Sequence, residues 1–213
     1  FPYTTLFRSR DDYALTVNVT PSAQFGDNVY INVTAPAGIN EVNVTIGGAT
    51  YLVPITNGEG QKVLNNLTVG DYTATVSFAG NDNYEYKEVN GSVSITKADP
   101  AMMIIVPPTV APGSDANVTI VVGKNATGKA IVTIDNVPTQ VIIKNGTAIV
   151  PIPTDKPGSH NITVEYFGDK NYVAPDTVTK ANYTVDKYTP VIIIKEPIVN
   201  DNNSVVVVVE MDP

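Results

Sequence analysis

One histidine, no cysteine and eleven Asn-x-Ser/Thr triplets are what this 213-residue sequence offers to chemistry. His160 directly follows Ser159. Neighbours on a strand point to opposite faces, so the two cannot form a nucleophile–base pair. No zinc-type His/Glu spacing, glycine-rich phosphate loop or placed pair of carboxylates accompanies them. The expectation is a chain that is not an enzyme, with His160 in a structural role. Without cysteine there is neither a disulfide framework nor a thiolate metal site.

The triplets lie at Asn18, Asn32, Asn43, Asn66, Asn90, Asn117, Asn125, Asn145, Asn161, Asn182 and Asn202. Each is an acceptor pattern for an N-linked glycan. With 21 Asn and 32 Ser plus Thr in 213 residues, independent placement predicts about 3. An exposed strand face sets polar residues two apart, and allowing for that raises the expectation to about 6 or 7. Two readings stay open, solvated strand faces and glycan-bearing ones.

Two further groups could hold a ligand. Gly80-Asn81-Asp82-Asn83-Tyr84 and Gly168-Asp169-Lys170-Asn171-Tyr172 are turn sequences whose Gly, Asn and Asp suit tight backbone. Asp82, Asn83, Tyr84, Asp169, Asn171 and Tyr172 are therefore candidate loop contacts. Exposed, coplanar tyrosines would favour ligand binding, and tyrosines packed onto a sheet would count against it. Calcium needs six to eight oxygens. Asp99 and Asp186 stand beside Lys97 and Lys187, and Asp27, Asp82, Asp115 or Asp169 would have to be borrowed to make a site. No EF-hand spacing appears, so the expectation is no cofactor, with Ca²⁺ between repeats as a weaker alternative.

The elements that carry these residues are strands. The apolar share is 43%, dominated by Val and Ile, while helix formers are scarce and no helical periodicity is sustained. A net charge of −8 argues against nucleic acid and anionic membranes. No apolar run approaches a membrane span, and Val205 to Val209 is only strand-sized. In the first ninety residues LTVNVT, NVYINVTA, EVNVTI, TYLVPI, QKVLNNL, DYTATVSF and EVNGSVSITK alternate between turn signals. Val29, Ile31 and Val33 fall on one face, and Tyr30, Asn32 and Thr34 on the other. The fold class is all-β, and about seven such strands per ninety residues predicts tandem immunoglobulin-like β-sandwiches.

The chain repeats itself. GDYTATVSFAGNDNY from Gly70 matches GSHNITVEYFGDKNY from Gly158, 88 residues on. The same spacing relates Val44-Thr45-Ile46 to Val132-Thr133-Ile134, Asn57-Gly58 to Asn145-Gly146, and Asp27 to Asp115. The second copy gains two residues after Tyr172, and the copies close on Lys97-Ala98-Asp99-Pro100 and Lys187-Tyr188-Thr189-Pro190. This divides the chain into a leader at 1–10, modules at 11–98 and 99–188, and the start of a third at 189–213. Strands Val191–Lys195 and Ser204–Glu210 of that third copy are expected to lack partners. Tyr72, two residues before Ala74, resembles a tyrosine corner. His160 and Ile162 take those places in the second copy.

GDYTATVSFAGNDNY and VEYFGDKNYVAP resemble the signature of bacterial and archaeal Ig-like (Big-type) repeats, in which a strand ends in Tyr-x-Gly-Asp-x-Asn-Tyr. The likeness covers residues 14 to 213. It implies large surface proteins, among them the adhesin-like proteins of methanogenic archaea, whose low-GC genomes suit the abundant Asn and Ile. The function that follows is a non-enzymatic stalk segment of a secreted, cell-surface, adhesin-like protein. Its partners would be neighbouring Ig-like modules of the same chain, and short proline-containing joints would limit bending. The alternatives are a carbohydrate- or cell-surface-binding module acting through the tyrosine loops, and an accessory module of an extracellular enzyme.

The opening FPYTTLFRS shares nothing with the rest. Arg8 and Arg10 are the only arginines. The nine residues resemble an in-frame translation of a common short-read sequencing adapter. They are excluded from fold reasoning, with the gene expected to begin within Arg10 to Tyr13.

Overall fold

The computed structural model of the protein describes residues 13–199 and 204–212. Phe1–Ser9 and the Asn202 triplet lie outside them. The chain forms two compact units. One holds the residues up to Asp99 together with Asp169–Val173, and the other holds Pro100–Gly168 with the chain from Ala174 onward.

Eight strands build the first unit: β1 (Thr16–Val19), β2 (Ser22–Gln24), β3 (Val29–Thr34), β4 (Glu41–Ile46), β5 (Ala49–Pro54), β6 (Glu59–Leu64), β7 (Gly70–Phe78) and β8 (Lys87–Thr96). They form one sheet in the order β1-β3-β6 and another in the order β2-β8-β7-β4-β5. Alternation decides which side faces in. Val29, Ile31 and Val33 of the first sheet and Val42, Val44, Ile46, Ala74 and Val76 of the second are buried in one cluster. Two sheets, antiparallel except for the β2–β8 pair, closed over an aliphatic core make an immunoglobulin-like β-sandwich.

The second unit repeats this strand for strand: β9 (Met103–Ile105), β10 (Thr109–Val110), β11 (Asn117–Val121), β12 (Gly128–Ile134), β13 (Val137–Ile143), β14 (Thr147–Pro151), β15 (Gly158–Tyr166) and β16 (Thr179–Val185). Its sheets run β9-β11-β14 and β10-β16-β15-β12-β13. Val118, Ile120, Ala130, Val132, Ile162 and Val164 are buried to 1% exposure or less.

The sequence pattern gave seven strands per copy, and the structure has eight. The first strand breaks because Pro21 has no N–H to donate to the ladder with β3. Its carbonyl instead accepts from Ser94 N–H (3.1 Å), and Ser22–Gln24 crosses to the other sheet, parallel to β8. Pro108 does the same with Thr184 N–H (3.0 Å), and β10 runs parallel to β16.

Two-residue turns with both central residues at positive φ join the hairpins, the type whose twist matches that of the strands. Gly47-Gly48 (φ 60 and 80) link β4 to β5, and Asp135-Asn136 (φ 47 and 70) link β12 to β13.

Beyond Pro190 the strands are β17 (Val191–Ile194), β18 (Ile198–Val199), β19 (Val205–Val206) and β20 (Val209–Asp212). This corrects the expectation of unpartnered strands. The Ser204–Glu210 segment splits in two, β17 pairs antiparallel with β20, and β18 pairs with β19. With no sheet to join, their backbone groups find each other. Ile192, Ile194, Val205 and Val209 remain more than half exposed.

Candidate functional site

Tyr72 stands near the start of β7, and its hydroxyl donates to the Thr68 carbonyl four residues back (3.0 Å). That is a tyrosine corner. At the equivalent place on β15, His160 Nε2 bonds the Lys156 carbonyl, also four residues back (2.8 Å). Its Nδ1 bonds Asp135 Oδ2. A carbonyl and an ionised carboxylate both accept, an arrangement that favours the doubly protonated ring. The ring is buried and stacks on Tyr183 at 4.9 Å and 16°.

The Asp135 carboxylate, then the Lys156 carbonyl, raise the His160 pKa above the ordinary histidine value against the opposing effect of burial. Partial burial pushes the Asp135 carboxyl up. The Asn161 N–H (2.9 Å) and the His160 ring outweigh it and hold the carboxyl below its usual value. Burial first, then Asp135 and Asp155, push Tyr183 up to about 12. Its hydroxyl donates to the Pro153 carbonyl (2.7 Å).

The two copies differ here by matched changes. In the first, the turn position is Gly47 at φ 60, where an added Cβ would press Leu67 at 3.2 Å and touch Tyr72 at 3.6 Å. In the second, Asp135, Asp155 and His160 occupy the positions 88 residues on from Gly47, Leu67 and Tyr72. A cleft of about 330 Å³ lies there, lined by Val132, Ile134, Val150, Asp155 and His160 among others. The Asp155 carboxylate and Lys156 line the same cleft as His160 and Asp135. Among the described residues no group of three or more His, Asp or Glu side chains converges as a metal site would require. Asp27 is used locally, accepting from Gln24 N–H (3.1 Å).

All ten acceptor asparagines in the described residues are exposed. Asn18, Asn32, Asn43, Asn90, Asn117, Asn161 and Asn182 lie on strands, and Asn66, Asn125 and Asn145 lie in loops. Two pairs sit directly opposite across antiparallel ladders, Asn18 with Asn32 and Asn161 with Asn182. Asn32 Oδ1 accepts from Gln61 (2.8 Å) and Asn90 Oδ1 from Thr75 (2.8 Å). Both bonds leave out Nδ2, the atom that would carry a glycan.

The two tyrosine loops close by the same local device. Asn81 Oδ1 accepts from the N–H groups of Asn83 and Tyr84 (both 2.9 Å), and Asp169 Oδ1 accepts from those of Asn171 (2.7 Å) and Tyr172 (2.8 Å). Beyond that they diverge. Asp82 and Asn83 are exposed and Tyr84 is half-buried. The Tyr84 ring packs on Tyr13 at 4.9 Å and its hydroxyl donates to the Ala37 carbonyl (3.1 Å). Asn171 and Tyr172 are buried, at 6% and 7% exposure. Burial, then Asp169, raises the Tyr172 pKa. Neither tyrosine presents an open ring face as a stacking platform.

No family model matches the chain, and no curated protein matches it. Solved structures do. The fibronectin(III)-like modules of Clostridium thermocellum CbhA align at 13% identity over 81% of this chain and 94% of that one, with a TM-score of 0.32. The human OSCAR ligand-binding domain aligns at 15% identity over 78% of this chain and 96% of that one, with a TM-score of 0.30. Parabacteroides merdae β-glucuronidase aligns at 12% identity over 80% of this chain, which spans 24% of the enzyme, with a TM-score of 0.31. At such identities and scores these likenesses speak to no activity or ligand. No helix among the described residues is long and apolar enough to cross a membrane.

Proposed function

We propose that this chain is a non-enzymatic stalk segment of a secreted, adhesin-like cell-surface protein, built from immunoglobulin-like repeats in series. The observation that carries the reading is the strand-for-strand duplication of one sandwich, with every described Asn-x-Ser/Thr asparagine on the solvent side. A scaffold repeated with its aliphatic core inside and polar strand faces outside suits a mechanical role. Its polar faces carry N-glycans, which keep neighbouring copies apart and protect sheet edges from pairing with other chains. Tyr84 and Tyr172 serve packing, which favours the stalk over a carbohydrate-binding module.

Two measurements test this. Sequencing the source locus across both ends should reveal further repeats and a secretion signal, and a contiguous catalytic domain would instead make these units enzyme accessories. Glycopeptide mapping of the native protein should find hexose-bearing peptides at the strand-face asparagines. Bare asparagines throughout would refute the glycan-bearing face.

A further inference from the structure

The first unit is not made of contiguous chain. Residues Asp169–Val173 belong to it, although 69 residues separate them from Asp99. Their attachment is specific. Ala98 N–H donates to the Asn171 carbonyl and Val173 N–H to the Ala98 carbonyl, both at 3.0 Å, forming a parallel bridge between Ala98 and Tyr172. Asn171 Oδ1 accepts from the Val69 N–H (3.4 Å). Lys97 Nζ donates to the Asp169 carbonyl. The Tyr172 ring meets Phe25 edge-on at 5.4 Å and 84°. Buried asparagine is uncommon, and Asn171, together with Thr154 and His160, makes up the buried polar set of the described residues. Its amide completes a backbone group of a loop about a hundred positions earlier in the sequence.

Local sequence cannot explain this attachment. The loop at 80–84 has the same turn, closed by the same pair of amide bonds, yet its tyrosine reaches Tyr13 and Ala37. What differs is the receiving surface, made of Phe25, Val69 and the exit of β8 at Lys97-Ala98.

We propose that Asp169–Val173 is a clasp that completes the first unit, docked on the surface formed by Phe25, Val69 and the exit of β8. The partner it fits is an aromatic side chain and a free strand exit at the end of an Ig-like unit, here Phe25 and Ala98. This goes beyond the stalk reading and does not depend on where the protein works.

The test uses the full chain and a double-mutant cycle on Phe25→Ala and Tyr172→Ala, read by hydrogen-exchange mass spectrometry over residues 70–96. Each single substitution should speed exchange there about tenfold, and the double should add little to either, because the two rings act on each other. Asn171→Ala should give a similar loss through the Val69 amide, and Tyr172→Phe, which keeps the ring, should leave exchange within about twofold of wild type. Additive effects of Phe25→Ala and Tyr172→Ala would overturn the proposal. So would unchanged protection of residues 70–96 in Tyr172→Ala, whatever happens at residues 158–166.

Discussion

Replacing His160 by phenylalanine keeps a ring against Tyr183 but deletes both donors. The loss can be worked from the contacts. The bond to the Lys156 carbonyl is a neutral-acceptor hydrogen bond worth about 1 kcal/mol. The bond to Asp135 is charge-assisted, but the carboxylate is 42% exposed, so solvent screening reduces its worth to about 1–2 kcal/mol. His160→Phe should therefore cost the second unit about 2–3 kcal/mol. Only the Asp135 share depends on pH. The folded-state pKa of His160 is raised, so its contribution is full below the unfolded value near about 6.5 and is lost as pH rises through the folded value. That of Asp135 is lowered, so its contribution is full above about 3.9 and is lost as pH falls through the folded value. The pair stabilises most between those limits. Urea titrations followed by the methyl resonances of Ile162 and Ile31 separate the units. The Ile162 midpoint should fall between pH 6 and pH 9 in the wild type and stay flat in His160→Phe, while Ile31 reports a unit without histidine. Because the chain has one histidine, an unchanged pH profile in the variant would refute the imidazolium assignment.

Four other outcomes are expected. Gly91 faces Val19, whose Cγ2 would lie 2.5 Å from an added Cβ; Gly91→Ala should push β1 off β8 and destabilise the first unit by about 1–3 kcal/mol in thermal unfolding. Tyr72→Phe removes the bond to Thr68 without emptying space and should cost about 0.5–1.5 kcal/mol by the same measurement. Asn18 and Asn32 are opposed, as are Asn161 and Asn182, with side chains about 5 Å apart; glycopeptide mapping should find one glycan or the other on each pair and few molecules carrying both. Ending the chain at Lys187 removes the exposed Ile and Val residues of β17 to β20 and should raise solubility in static light scattering, since such runs template aggregation; lower solubility would mean that those strands cover something the second unit needs.

Much of the sandwich was legible in the sequence because its determinants are local. Period-two alternation names the buried side of β3, β4 and β7, and the 88-residue spacing names the repeat. Tyr72 at the head of a strand names the corner bond. What the sequence concealed depends on partners distant in the chain. Strands β2 and β10 are two or three residues long, and their parallel pairing to β8 and β16 leaves no periodic trace. The residue His160 contacts is Asp135, which adjacency to Ser159 does not suggest. A signal existed, since Gly47 and Tyr72 change together to Asp135 and His160 at the same spacing. The clasp gave no such signal. Asn83-Tyr84 and Asn171-Tyr172 are the same dipeptide in the same turn, and only the surfaces they meet tell them apart.

Those matched changes show what the corner constrains. β7 and β15 each begin by bonding the carbonyl four residues back, through a phenol in one copy and an imidazole in the other. A phenol needs one acceptor, the Thr68 carbonyl, and asks nothing of the turn residue, which is Gly47 at φ 60. An imidazolium is smaller, carries a second donor and cannot be buried with that donor unmet. Asp135 meets it from a turn position with φ 47, a backbone geometry that aspartate tolerates better than most residues. The turn residue answers the corner residue in the second copy: aspartate stands where the imidazole needs a partner. The two copies differ at both positions, and removing the Asp135 carboxylate alone would leave a buried His160 ring nitrogen without its partner.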